Sequence, residues 1–264
     1  MAQLEKPESS ASIEFMFYTE NHDICLDVLN DKAAYDIAYE KAALAMEELL
    51  IELPECFAII HEDKILEEIL DVADEIGRRY RHVMVLGTGG SSLTGHTLTD
   101  LMPQQNIVTF VDTIDPRSIK GLLDSLTISD TLFLVISKSG TTLETLAQTL
   151  ICCRAIRDEI GSDKVHEHML IISDNKPSIL RNLAAHYRIN VLDQPMGIGG
   201  RFSIYSVVGL LPAVIAGVDI KDVLQGAIQR LNDPEPAIVG AALHEVLSKQ
   251  GYDNVVFMPY VDRL

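Results

Sequence analysis

Two short segments of this chain combine residue types suited to holding an anion. Ser137-Lys138-Ser139-Gly140-Thr141-Thr142 places four hydroxyls, a cation and a glycine within six residues. Hydroxyls and amides gathered at a helix N-terminus suit a phosphate monoester. Gly87-Thr88-Gly89-Gly90-Ser91-Ser92 offers glycines that let an anion or a sugar approach the backbone, with Ser91 donating a hydroxyl. A third segment, Gly199-Gly200-Arg201-Phe202-Ser203, sets an arginine at the start of an apolar stretch. A fixed guanidinium there can stabilise an oxyanion.

Each segment also has a plainer reading. A strand-to-helix turn needs Gly and Ser in any case, and an arginine after two glycines can be a solvated cation in a turn. The first loop approaches a dinucleotide fingerprint, with Gly87 and Gly89 in place, Ser92 where the third glycine would stand, and Asp112 ending the next apolar run like a ribose acid. That fingerprint has no role for the second, hydroxyl-rich loop, which a phosphate cradle explains directly. Thr141 and Glu144 fit a capping box, so Glu144 reads as a helix cap rather than a base. His166 and His168 flank Glu167 without a third ligand and read as surface residues. His96 reads as a helix-surface histidine.

The elements that must position these loops follow from the change of hydrophobic period. From Ala33 to about Leu70 the apolar spacing is helical. Then short apolar runs end in turn residues: HVMVL before GTGG, NIVTFVD before TIDP, TLFLVI before SKSGTT, HMLIIS before DNKP, and RINVLD. Helical stretches lie between them. Strands alternating with helices, apolar on both faces, predict a doubly wound parallel α/β sheet from Arg81 to Asp193. The expected organisation is a helical region at 1–80, the α/β domain at 81–193, and a helical connection at 194–264. The last stretch, NVVFMPYVDRL, reads as the first strand of a second α/β domain that the chain breaks off.

Composition limits the partners. The chain has 264 residues, 47% of them hydrophobic, and 21 Lys and Arg against 39 Asp and Glu give a net charge of −18. Such a field repels polyphosphate backbones and anionic membranes, yet leaves room for a local anion pocket. The most apolar stretch, Ile204–Val218, has 15 residues. A membrane span needs about 20, so it reads as a buried helix. The N-terminus shows no secretory pattern. Cys25, Cys56, Cys152 and Cys153 form no paired framework, and the adjacent pair reads as two buried thiols in a reducing cytoplasm.

With GTGGSSLTG, SKSGTTLETL and GGRFS in that order, and FVDTIDP and MPYVDRL at matching stations, the chain from about Val83 onward resembles the glucose-6-phosphate isomerase (phosphoglucose isomerase) family. Met196 departs from the family's pattern, which has an acidic, small or amide residue there. The resemblance implies a flavodoxin-like sugar isomerase (SIS) fold and interconversion of glucose 6-phosphate and fructose 6-phosphate through an enediolate. It implies that Ser91, Ser137, Ser139 and Thr142 hold the phosphate, assisted by the amides of Gly90 and Lys138, and that Arg201 stabilises the enediolate. It implies no metal or organic cofactor, a hexose 6-phosphate as ligand, and a homodimer in the full-length form. The family's general base Glu, ring-opening His and C-terminal Lys lie beyond the point matching Leu264, so the chain reads as the N-terminal portion of such an enzyme. The competing expectation is a non-catalytic SIS module that senses sugar phosphates.

Overall fold

The computed structural model describes residues 31–100, 107–252 and 254–255. Its strands are β1 (His82–Leu86), β2 (Val108–Val111), β3 (Thr131–Ile136), β4 (Met169–Asp174) and β5 (Asn190–Gln194). Its helices are α1 (Lys32–Ile51), α2 (Glu55–Ala58), α3 (Asp63–Arg79), α4 (Gly90–Asp100), α5 (Pro116–Ser125), α6 (Leu143–Glu159), α7 (Ile179–Tyr187), α8 (Val207–Ile215), α9 (Ile220–Asn232) and α10 (Glu235–Lys249).

The strands form one parallel sheet in the order β2-β1-β3-β4-β5. Every residue of β3 and β4 is buried, as central strands covered on both faces must be. Alternation then sorts the side chains. Met84, Leu86, Phe133, Val135, Met169 and Ile171 join Ile119 of α5, Leu146, Cys152 and Ile156 of α6, and Leu180 and Ala184 of α7 in one core. The opposite face is served by α3 and α4, both packed on α8. The stretch read as a buried helix contains α8, whose residues Val207–Ala213 are all buried.

Local chemistry sets where the helices begin. The Asp115 carboxylate accepts from the Ser118 amide at 2.8 Å, with Pro116 as the first residue of α5. Ser178 accepts from the Arg181 amide at 3.2 Å to start α7, and Ser206 accepts from the Val208 amide at 3.3 Å to start α8. These are ordinary N-caps.

The described residues fall into two compact units. One runs from Pro54 to Gln225 and contains the whole sheet; the other joins the described residues before Pro54 to those between Gly226 and Val255. The apolar stripe of α3 (buried Ile69, Ala73 and Ile76) belongs to the sheet-bearing unit. In the second unit Tyr35 and Ala38 of α1 pack with Ala242 and Val246 of α10, and the Tyr39 hydroxyl donates to the Glu235 carboxylate at 2.7 Å. The strand expected in NVVFMPYVDRL lies outside the described residues, except for Asn254 and Val255.

Candidate functional site

The strand order decides which loops meet. The β1–α4 connection leads outward to β2 and the β3–α6 connection leads the other way to β4, so a crevice opens between the carboxyl ends of β1 and β3. Both loops singled out by their residues flank it. An order of 2-1-3-4-5 is flavodoxin-like, not the 3-2-1-4-5 order of dinucleotide-binding sheets, and Asp112 is exposed.

In the first loop Gly89 adopts φ +56°, a left-handed conformation that favours glycine. Its carbonyl accepts from the amides of Ser92 and Leu93 at 3.0 and 2.8 Å. Gly90 is required for a different reason. A Cβ there would stand 2.3 Å from the carbonyl carbon and oxygen of Gly200 and 2.9 Å from the Arg201 nitrogen. The first loop thus lies directly against the 3-10 turn at Gly200–Phe202 that carries Arg201. Ser91 is half-buried.

In the second loop Ser137 is buried, and its hydroxyl lies 3.4 Å from that of Thr142. The Ser139 hydroxyl is also 3.4 Å from the Thr142 hydroxyl and receives a bond from the Thr141 hydroxyl at 3.1 Å. Gly140 turns the chain at φ +62°. Thr142 occupies the N-cap of α6, yet its side chain makes no capping bond. The capping box expected from Thr141 and Glu144 is therefore not formed: α6 begins one residue later, and Glu144 is an exposed residue in its first turn. What results is a 17-residue helix whose N-terminus keeps its amides and positive dipole end facing a group of hydroxyls.

The cation of this loop is engaged elsewhere. The Lys138 ammonium donates to the carbonyls of Met196 at 2.9 Å and Ile198 at 2.7 Å. The Met196 departure from the family pattern does not disturb this bond, since it uses a main-chain oxygen. Arg201 is exposed and makes no hydrogen bond or ion pair with any described residue. Its turn is fixed by Ser203, whose hydroxyl donates to the Gly200 carbonyl at 2.7 Å.

Three buried residues at this end of the sheet escaped the sequence reading. The Gln148 side chain on α6 donates to the carbonyls of Val111 and Thr113 at 3.0 and 2.9 Å, clipping the β2 exit in place. The Asp174 amide donates to the Lys138 carbonyl at 3.1 Å, and Asp174 pairs in register with Gln194 across β4 and β5. One side-chain oxygen of each of the three has no partner among the described residues. Gln148 shares its buried face of α6 with Thr145 and Thr149, so no break in an apolar pattern marked it in the sequence.

The histidines divide. His96 is exposed, 3.5 Å from Asp100, with its ring 4.8 Å from that of Phe110. His166 is exposed, as read. His168 is buried, contrary to that reading, because it feeds directly into β4: its Nδ1 lies 2.9 Å from the Thr131 carbonyl oxygen and its ring meets Tyr80 edge-on. Cys152 and Cys153 are buried free thiols, and burial pushes both upward in pKa, Cys153 to about 11. Among the described residues no group of three or more His, Cys, Asp or Glu could hold a metal ion, and no helix is long and apolar enough to cross a membrane.

An open parallel sheet with hydroxyl loops at its switch point is the architecture of sugar isomerase domains, and solved structures match it. A hypothetical protein of Thermus thermophilus superposes with a TM-score of 0.70 at 24% identity, over 83% of this chain and 56% of that one. A glucose-6-phosphate isomerase of Chlamydia trachomatis superposes with a TM-score of 0.57 at 23% identity, over 71% of this chain and 36% of that one. Residues 62–232 match the phosphoglucose isomerase family. The chain belongs to that family. The glucose-6-phosphate isomerase of Carboxydothermus hydrogenoformans is 33% identical over 218 residues, 75% of this chain and 47% of that protein. A probable glucose-6-phosphate isomerase of Haloarcula marismortui is 36% identical over 191 residues, 69% of this chain and 43% of that protein. The chain spans about half the length of these curated relatives.

Proposed function

We propose that this chain supplies the phosphate-binding half of an aldose–ketose isomerase that interconverts glucose 6-phosphate and fructose 6-phosphate. The observation that carries it is the uncapped N-terminus of α6, where the hydroxyls of Ser137, Ser139 and Thr142 gather beside the Gly90–Ser91 loop. A phosphate dianion there receives hydroxyls and the amides of Gly90 and Lys138, and gains from the positive end of the helix dipole. The exposed guanidinium of Arg201, unpaired among the described residues, stabilises the negative charge that develops on the sugar oxygen as a proton moves between C1 and C2 through an enediolate. The general base, the ring-opening histidine and the assisting lysine come from the family's sequence beyond the position of Leu264. The full-length form works as a cytoplasmic homodimer on a soluble hexose phosphate, without nucleic acid or membrane.

Titration calorimetry tests this reading. The chain should bind glucose 6-phosphate, fructose 6-phosphate and inorganic phosphate, and T142V should weaken all three. Losing one hydrogen bond to a charged group costs about 1.5–3 kcal/mol, about 10- to 100-fold in affinity. A coupled isomerase assay on the 264-residue chain should stay near background, since proton transfer needs a positioned base. Undiminished binding by T142V would remove the phosphate site, and family-like turnover would show that the chain holds its own base. Binding without turnover in the full-length protein would favour a sugar-phosphate sensor.

A further inference from the structure

Lys138 ties the connection after β3 to the end of β4 and to the connection after β5. The residue itself lies in the loop after β3; its carbonyl accepts from the Asp174 amide at 3.1 Å and the Ser173 hydroxyl at 3.4 Å at the end of β4. Its ammonium holds two carbonyls, of Met196 and Ile198, in the connection after β5. That last connection leads within three residues to Arg201.

The connection has few other anchors. Over residues 195–198 its one backbone bond among the described residues is long, from the Ile198 amide to the Pro195 carbonyl at 3.4 Å, and the next, from the Phe202 amide to the Gly199 carbonyl at 2.9 Å, lies within the Arg201 turn itself. Met196 and Gly197 are exposed, and Ile198 is the single side chain buried to 1%. Further on, the Gly200 backbone rests against Gly90. A charge-assisted bond to two carbonyls is the strongest restraint in this stretch. A group that stabilises developing charge works only if it is held in place before the reaction, because reorganisation at that moment would cancel the gain.

We propose that Lys138 is a positioning residue: its ammonium fixes the Arg201 turn relative to the hydroxyl cradle and leaves the phosphate to the hydroxyls and main chain. This rests on the phosphate-site reading above. The motif alone suggests the opposite, a lysine reaching into the phosphate. The geometry assigns the cation to the protein's own carbonyls and thereby couples two loops that a bound hexose phosphate must touch at its two ends.

The test is a double-mutant cycle on the full 264-residue chain, with inorganic phosphate and 6-phosphogluconate as probes, the second carrying a carboxylate at C1 where the charge of the enediolate develops. K138M should lower 6-phosphogluconate affinity about tenfold and inorganic phosphate affinity less than about threefold; R201A should cost about tenfold in 6-phosphogluconate affinity in the unsubstituted chain and less than about twofold in the K138M background, as coupled residues do. K138R, which keeps a cation able to reach carbonyls, should recover part of the loss and serves where K138M fails to fold. Hydrogen exchange should speed up at residues 196–203 in K138M relative to K138R. Equal loss of both probes in K138M would mean that the ammonium binds phosphate, and an R201A effect that is the same in both backgrounds would mean that the tether does not govern Arg201. Either overturns the proposal while leaving the phosphate site standing. Failure of the unsubstituted chain to bind inorganic phosphate would overturn both.

Discussion

Thr142 stands at the N-cap of α6 without capping it, and that small fact carries much of the site's chemistry. A threonine there usually satisfies an amide of the first turn; here its hydroxyl is shared with Ser137 and Ser139, so the turn's donors stay available to an anion. The thiol of Cys153 shows the reverse use of burial. Its ionisation is pushed up to about 11 by loss of solvent, and Cys152 is raised further by the same cause. Both should resist iodoacetamide at pH 8 while the protein is folded and react on denaturation, whereas labelling at the native rate of an exposed thiol would contradict the buried placement. The sign of the linkage follows. Below about pH 8.5 the thiol is protonated in both states. Above it the unfolded chain ionises first, so stability contributed by Cys153 is lost as pH rises toward about 11. At this scale the hydroxyl types and their order were legible in the sequence. The destination of the Lys138 ammonium was not, because main-chain carbonyls of Met196 and Ile198 carry no residue-specific signal.

At the scale of elements, the close approach of α4 to the Arg201 turn gives a prediction with an internal control. Both Gly90 and Gly121 lie in helices, where alanine gains about 0.5–1 kcal/mol over glycine. A Cβ at Gly121 meets nothing within 4 Å, so G121A should raise stability by about that amount. At Gly90 the Cβ would overlap the Gly200 backbone at 2.3 Å. Overpacking costs about 1–3 kcal/mol and outweighs the helical gain, so G90A should lower stability and displace Arg201. Urea denaturation of the two variants checks this, and equal effects would mean that the Gly90–Gly200 contact is not tight. The strands themselves were readable because each apolar run is short, buried on both faces and closed by turn residues. His168 was misread because an HxH just outside a strand gives no sign of which member the first strand position turns inward.

Across the whole molecule, the two compact units differ in how much they bury. The sheet-bearing unit has central strands without an exposed residue, while the other joins α1 and α10 through a core centred on Tyr35, Ala38, Ala242 and Val246. Native-state hydrogen exchange should therefore find the slowest amides in β3 and β4 and distinctly faster ones in α1 and α10, since small cores open at lower free energy. Uniform protection would mean that both units unfold together. The sequence by itself determined the class of fold, the three motifs and the net charge of −18, because hydrophobic period, turn chemistry and charge are local or additive properties. Only the tertiary structure decided that the three motifs share one end of the sheet, that α3 belongs with the strands, and that Lys138 faces carbonyls rather than the cradle. Those depend on strand order and on contacts between residues some 60 positions apart, which no local pattern encodes.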